Sequence, residues 1–336
     1  MLNLIINPCK PVKFNEKAII KVLETSGSVI ADIKHDGVRC ELVIKPTADV
    51  QGRPAARCYA FSRSDKLLPS LVELFTSEDE QIALGQLLSE SLYPAGIIID
   101  GEVMVKGMTF QKSSGRIRSK KPIPVGELEF VVYGYLPLGH FTNPENDKRT
   151  VLDVATCVMQ EQIKVLLCQL KELLPQMSWS QVQSYDVFDI ASLHELYEQV
   201  REAGHEGLVV KDPLAPWHRG KRNGWWKMKP EDTTDGQVVG LVWGTAGKKY
   251  EGKVVGFEVR LEDNGCVVRA DGLTDAQIEE YTALAYAHSL KTGDGDRYFD
   301  NWYIQLKFME RTEDGSLRHP KFDCWRGTET DPTVKS

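Results

Sequence analysis

The sequence predicts an α+β domain built on antiparallel sheets, followed by a small all-β domain of the five-stranded-barrel type. Three observations predict it. Up to about residue 230, β-branched strand patterns alternate irregularly with helical ones, which suits α+β sheets and not a doubly wound parallel sheet. The segment KPEDTTDG (229–236) is rich in turn formers, has no apolar residue and reads as a linker. Beyond it come short strands with a single helix, the content of a small closed barrel. The expected domains are therefore 1–230 and 231–336.

Taken in order, residues 15–25 (NEKAIIKVLET) have helical spacing, and SGSVIADIKHDGVRCELVI reads as strand, turn, strand. Residues 57–62 predict another strand and 67–91 one or two amphipathic helices. AGIIIDGEVMVKG (95–107) and LEFVVYGYLPL (128–138) are apolar and β-branched enough for buried strands. Residues 147–173 and 190–203 carry the 3.6-residue period of helices, and EGLVVKD (206–212) is a short buried strand. In the second domain VVGLVW, KVVGFEVRL, CVVRADGL and NWYIQLKFME predict strands, with a helix from about 274 to 290. This content suits an OB-fold.

Composition narrows the functional classes. Hydrophobic residues at 42% and charged residues at 26% are ordinary globular usage, which excludes a disordered or fibrous chain. No apolar run reaches the length of a membrane helix, and the lysines near the start follow the short apolar stretch, unlike a secretory signal. Seven cysteines without a C-x-x-C pair give no zinc ribbon or disulfide framework, so a reducing, cytoplasmic setting is expected. The net charge of −7 argues on its face against a nucleic-acid partner. The distribution argues otherwise: residues 103–126 hold six Lys/Arg (106, 112, 116, 118, 120, 121) and no acid. Residues 211–229 hold six more against Asp212 alone. Such stretches bind phosphates in a salt-dependent way. Trp217, Trp225 and Trp226 beside the second stretch could stack on nucleotides, with core packing at least as good a reading for two of them.

The sharpest local signal is KHDGVR, Lys34 to Arg39, a lysine at an Asp-Gly pair where one strand gives way to the next. Rigid backbone on both sides would present it as a nucleophile; the plain alternative is a hairpin with a solvated lysine. Asp100 and Glu102 sit in a buried strand, where a carboxylate needs a partner. HEGLVVKD sets Glu206 before a buried strand and Lys211–Asp212 after it. GWWKMKP sets Lys227 and Lys229 two apart, on the same side if both lie in a strand. A lysine, strand carboxylates and twin lysines together suit a site for a polyanion and a metal. Gly247 to Lys253 (GKKYEGK) satisfies a phosphate-loop spacing, but Val254 stands where Ser or Thr must bind Mg²⁺ and the segment joins two strands.

KHDGVR, SRS (62–64), DGE (100–102), VVYGY (131–135), EGLVVKD and WWKMKP, in that order, resemble the nucleotidyltransferase motifs of ATP-dependent DNA ligases, most closely the short ligases of short-tailed bacteriophages. DGSLRHPKFDCWRGTE (314–329) is similar to their closing motif. The resemblance implies an adenylation domain and an OB-fold domain, ATP and Mg²⁺ (or Mn²⁺) as cofactors, nicked duplex DNA as partner, a monomer, and the host cytoplasm if the gene is carried by a phage.

It also implies roles. Lys34 would attack the α-phosphate of ATP. A free lysine is neutral only about once in 2,500 molecules at pH 7, so the reaction needs nearby cations, and Lys227, Lys229 and the metal supply them. The same lysines would offset transition-state charge. Glu206 and Asp212 are the implied metal ligands, with Asp36 sharing the ion. Tyr133 resembles the aromatic that stacks on adenine, Arg39 and Glu102 the ribose contacts, and backbone near Asp32 and Ile33 the base reader. Arg63 resembles the arginine on the nick phosphate, and Arg318 and Arg326 lie in the closing motif. An RNA ligase or mRNA-capping enzyme shares the lysine chemistry, and a non-catalytic OB-containing DNA-binding protein would need no such set.

Overall fold

The computed structural model describes residues 4–49, 51–142, 151–230, 232–312, 314–328 and 330–335. The chain divides into two compact units, Met1–Met228 and Lys229–Ser336.

The first unit runs β1 (Cys9–Lys13), α1 (Glu16–Ser26), β2 (Val29–Ile33), β3 (Val38–Ala48), β4 (Pro54–Ser62), α2 (Glu78–Glu90), β5 (Ile97–Val105), α3 (Phe110–Ile117) and β6 (Leu128–Pro137). It continues with α4 (Gly139–Thr142), β7 (Val151–Ala155), α5 (Thr156–Leu173), β8 (Ser178–Gln181), β9 (Ser184–Val187), α6 (Ile190–Glu202), β10 (Leu208–Lys211), β11 (Pro216–His218) and β12 (Gly220–Met228). Two five-stranded sheets form, in the orders β4-β3-β5-β6-β8 and β1-β12-β10-β2-β9. Pairing is antiparallel except at two edges, where β8 and β1 join parallel. In the first sheet Leu42, Ile44, Ile97 and Ile99 bury with Leu84 of α2 and Ile163 and Leu170 of α5. In the second, Ala31, Ile33, Val210 and Trp226 bury against Ile19 of α1 and Leu193 of α6. Alternation along a strand then sends Asp32, Val209 and Lys227 to the opposite face.

Local chemistry fixes the helix ends. Asn15 caps α1 by accepting from the Ala18 N–H, and Ser77 with Glu80 forms a reciprocal capping box on α2.

The KHDG segment is not a hairpin turn. β2 pairs with β9 and β10, whereas β3 pairs with β4 and β5, so residues 34–37 carry the chain from one sheet to the other. Two predicted helices are shortened. Within 67–91 only α2 and a 3₁₀ turn at Pro69–Leu71 are helical. Of 147–173, residues 147–150 lie outside the described residues, and VLDVA forms β7, pairing with β11, before α5 begins. The apolar spacing of VLDVA satisfies both periods, and pairing with β11 decides it.

The second unit holds β13 (Asp232–Trp243), β14 (Val254–Leu261), β15 (Val267–Ala270), α7 (Asp275–Thr292), β16 (Tyr303–Phe308), β17 (Glu310–Arg311), β18 (Leu317–Arg318) and β19 (Lys321–Trp325). Its sheet, in the order β15-β14-β13-β16-β19, is antiparallel throughout, as an OB-fold requires. Phe257, Tyr281, Phe299 and Trp325 fill it, with Phe299 and Trp325 stacked at 5.6 Å. The predicted linker is mostly strand: Thr233 and Thr234 pair with Lys307 and Leu306, and β-branched threonines suit a strand despite the turn formers beside them. No helix among the described residues is long and apolar enough to cross a membrane.

Candidate active site

Strand register places Lys34. Ile33 lies opposite Leu208 in the antiparallel β2–β10 pair, and the ladder continues one residue further, the Lys34 N–H donating to the Gly207 carbonyl at 2.8 Å. That step brings Glu206 beside Lys34, and their side chains form an ion pair. The Lys34 side chain keeps 25% exposure while that of Glu206 keeps 7%, so the nitrogen is reachable and its counter-charge is not.

The same register aligns Asp32, Val209 and Lys227 in one row across β2, β10 and β12. In the next row on that face, Lys211 lies beside Trp225. Lys211 Nζ forms an ion pair with Asp32 Oδ2 at 2.5 Å and stands 4.1 Å from the centre of the Trp225 ring. Asp32 Oδ1 accepts from Ser184 Oγ at 2.6 Å and from Gln160 Nε2 at 3.4 Å. Burial of both charges is tolerable because they pair with each other and Asp32 is also hydrogen-bonded through Oδ1.

Three strands of the other sheet add the second set. Arg39 on β3 is directly opposite Glu102 on β5. Register between β5 and β6 shifts at Asp100/Gly101, so Asp100 faces Gly134, Gly101 faces Val132, and Tyr133 is the extra residue of a bulge that re-aims its ring. Tyr133 OH donates to Glu102 Oε2 at 3.2 Å. Arg39 grips Asp100 through Nε and Nη2 at 2.5 and 2.6 Å, reaches the Cys9 carbonyl at 3.5 Å, and lies 4.9 Å from the Tyr133 ring centre. Burial pushes the Glu102 carboxyl up to about 7, with Arg39 and then Lys34 pulling it down. The link that carries Lys34 packs against Glu102 at Gly37, which places the two sets side by side. Gly37 shows why the link needs glycine: a Cβ there would stand 2.5 Å from Glu102 Cγ and 3.1 Å from the Val103 carbonyl. The requirement is close approach to β5 and not turn geometry.

Not every expected residue joins. Asp212 sits at the far end of β10 from Glu206, separated from it by Gly207 and four strand residues, six steps or about 20 Å along extended chain. Its Oδ1 accepts from the Leu214 N–H at 2.9 Å, so it shapes a turn at the strand end away from Glu206. Among the described residues no three His, Cys, Asp or Glu side chains form a metal-holding group. The Ile33 N–H is given to the Gln183 carbonyl at 2.9 Å and is no donor to a base. Arg39, held by Asp100, braces the Tyr133 ring instead of reaching outward. Asp36 lies half-buried in the link, and Arg63 is exposed at the tip of the turn after β4. Lys229 falls past the end of β12, as the first residue of the second unit, so strand alternation does not pair it with Lys227. Arg326, also in the second unit, has Nε 3.8 Å from Asp235 Oδ1.

The basic stretches divide likewise. Lys106, Lys112, Arg118, Lys120 and Lys121 are exposed, whereas Lys211 and Arg219 are buried. Trp217, Trp225 and Trp226 are all buried, so none stacks on a nucleotide. Ser184 and Gln160 are the residues around Asp32 that the sequence reading missed; Lys211 it named at the end of a buried strand, but not its pairing with Asp32.

A partly exposed lysine on a link between two sheets, paired with a buried carboxylate and followed by an OB-fold unit, is the arrangement of the covalent nucleotidyltransferases. The comparisons narrow it. Residues 9–229 match the family model of the ATP dependent DNA ligase domain and residues 230–326 that of the DNA ligase C-terminal domain. The chain is 39% identical to the DNA ligase of Escherichia phage T7, covering 100% of each, and 37% identical to that of Enterobacteria phage T3, covering 98% of each. The solved structure of the phage T7 ATP-dependent DNA ligase in complex with ATP matches with a TM-score of 0.62, covering 97% of this chain and 100% of that one. This chain belongs to the ATP-dependent DNA ligases.

Proposed function

We propose that Lys34 is the residue adenylated, and that the enzyme seals a nick between a 3′-OH and a 5′-phosphate in three steps. Lys34 Nζ forms a bond to the α-phosphorus of ATP as the bond to pyrophosphate breaks. The 5′-phosphate of the nick then takes the AMP from Lys34, and the 3′-OH displaces AMP to close the strand. The observation that carries this reading is the Lys34–Glu206 ion pair at the head of the Asp32–Val209–Lys227 row, beside the Glu102 carboxyl to which Tyr133 donates.

An ammonium has no lone pair, so its proton must leave first. Glu206 is the acceptor that Lys34 Nζ already faces. Once Glu206 has passed that proton on to solvent, its carboxylate, only 7% exposed and facing a neutral Lys34, needs another cation, which fits Mg²⁺. Glu206 and Asp36 would hold it, and the ion would supply charge neutralisation on the phosphate oxygens. Lys227 and Lys229 act on the same developing charge. Tyr133 offers its ring to adenine with Arg39 behind it, and Glu102 offers a carboxyl to the ribose. Arg63 and the exposed basic residues of 106–121 contact the DNA backbone, Arg63 at the nick phosphate. Arg326 orients the leaving pyrophosphate.

The test uses ATP labelled at the α-phosphate, without nucleic acid. Acid-labile label should appear on wild-type protein and on neither Lys34→Ala nor Lys34→Arg, since a guanidinium stays charged. Substantial labelling of Lys34→Arg, or label from GTP alone, overturns the reading.

A further inference from the structure

The turn that carries Arg63 is tight. Ser62 N–H donates to the Lys66 carbonyl at 2.7 Å, Asp65 N–H to the Ser62 carbonyl at 2.8 Å, and Leu67 returns to bridge Phe61. Asp65 takes the left-handed position with φ 58°. Glycine or asparagine fills that position at least cost. Here an aspartate holds it, and its carboxylate leaves the turn: Oδ1 accepts from the backbone N–H of Ile6 at 2.9 Å and of Asn7 at 3.1 Å. Asn7 is itself left-handed, with φ 45°. Two successive N–H groups converging on one oxygen make a small anion-binding nest, and Asp65 fills it.

That contact joins the two sheets. Asp65 follows β4, the edge of one sheet, whereas Ile6 and Asn7 lead into β1, the edge of the other. The Asn7 carbonyl accepts from the Gly220 N–H at 3.0 Å, and β1 then runs beside β12 until Lys13 lies opposite Lys227. The Arg63 turn is thus tied through Asp65 and Asn7 to the strand that bears Lys227.

We propose that Asp65 is a positioning residue for Arg63, fixing the exposed guanidinium relative to the Lys34–Lys227 wall so that it meets the nick phosphate. The proposal rests on the reading of Arg63 as a nick contact, and the experiment separates the two. Asp65→Gly deletes the carboxylate while glycine adopts the turn freely, and Asp65→Asn keeps an acceptor oxygen and tolerates φ 58°. Each is compared with Arg63→Ala for self-adenylation without DNA and for sealing of a pre-adenylated nick across nick and salt concentrations. Arg63→Ala should raise the KM for the nick by about tenfold or more, as loss of a charge-assisted hydrogen bond does. It should also flatten the logarithmic salt dependence by about one unit. Asp65→Gly should reproduce both effects, leave self-adenylation within about twofold, and add little on an Arg63→Ala background. Asp65→Asn should recover most of the sealing. Wild-type nick KM and salt slope in Asp65→Gly beside an impaired Arg63→Ala overturn the proposal and leave the Arg63 reading standing. Wild-type sealing by Arg63→Ala overturns that reading and the proposal with it. Additive defects in the double variant show that Asp65 acts through something else, and overturn the proposal alone.

Discussion

Replacing Lys211 with methionine tests the buried charge pair directly. Methionine keeps most of the stem but removes the ammonium that Asp32 Oδ2 meets at 2.5 Å. The Lys211 and Asp32 side chains are only 4% and 3% exposed, so solvent cannot replace the lost partner. Ser184 and Gln160 still donate to the other oxygen, which limits the damage. Removing one member of such a pair costs about 3–5 kcal/mol. At roughly 2–4 °C per kcal/mol for a unit of this size, the Tm of the first unit should fall by about 6–20 °C. The Asp32→Asn/Lys211→Met double variant should recover part of this, because deleting both charges leaves neither stranded. Calorimetry of the four proteins measures the coupling. Trp225 fluorescence should shift too, since the ammonium stands over its ring. A fall of less than about 2 °C in Lys211→Met, or strict additivity in the double variant, would refute the account.

Three further outcomes follow from the site. The Glu102 carboxyl, pushed up to about 7 by burial, keeps its proton in the folded state where an unfolded chain, at its ordinary value of 4.5, has released it. Stability should therefore decline as pH rises between those values, and Glu102→Gln should lose that component; equal pH slopes for the two proteins in urea unfolding at pH 5 and pH 8 would contradict this. Gly37→Ala pushes a Cβ against Glu102 and the β5 backbone, so overpacking should cost about 1–3 kcal/mol while displacement of Lys34 slows adenylation by about a hundredfold; normal labelling kinetics would show that the link tolerates the shift. Arg326→Ala should slow formation of the lysine adduct yet seal a pre-adenylated nick almost normally, because pyrophosphate has already left; normal adduct formation would make this arginine a DNA clamp instead.

Much of the site was legible because its residues are adjacent in sequence to glycines and strands that announce themselves. KHDGVR, DGE and EGLVVKD each carry a charged group at a strand or its end, and the structure brings Lys34, Glu102 and Glu206 to one place. What stayed hidden depends on register between distant strands. Nothing near Asp32 points to Lys211, because their contact arises only when β2 and β10 pair across almost the whole first unit. The Tyr133 bulge is a counting mismatch between two strands and exists in neither alone. Asp212 was grouped with Glu206 because both flank one strand, and the length of that strand is what separates them. The Asp-Gly pair was read as a turn between successive strands for the opposite reason: its composition fits a turn, and only the two sheet memberships reveal a crossing.

That crossing has a consequence for how the enzyme fails. Lys34 hangs between two layers whose hydrophobic clusters are separate, one around α2 and α5 and the other around α1 and α6. Local opening of either layer breaks the geometry without dissolving the other. Loss of activity on warming should then precede loss of most secondary structure. The Lys34 amide, bonded to Gly207 as the next rung of the β2–β10 ladder, would report opening of the α1–α6 layer early, exchanging its hydrogen while amides of the other layer stay protected. Lys34 thus doubles as a sentinel for the layer that carries β2.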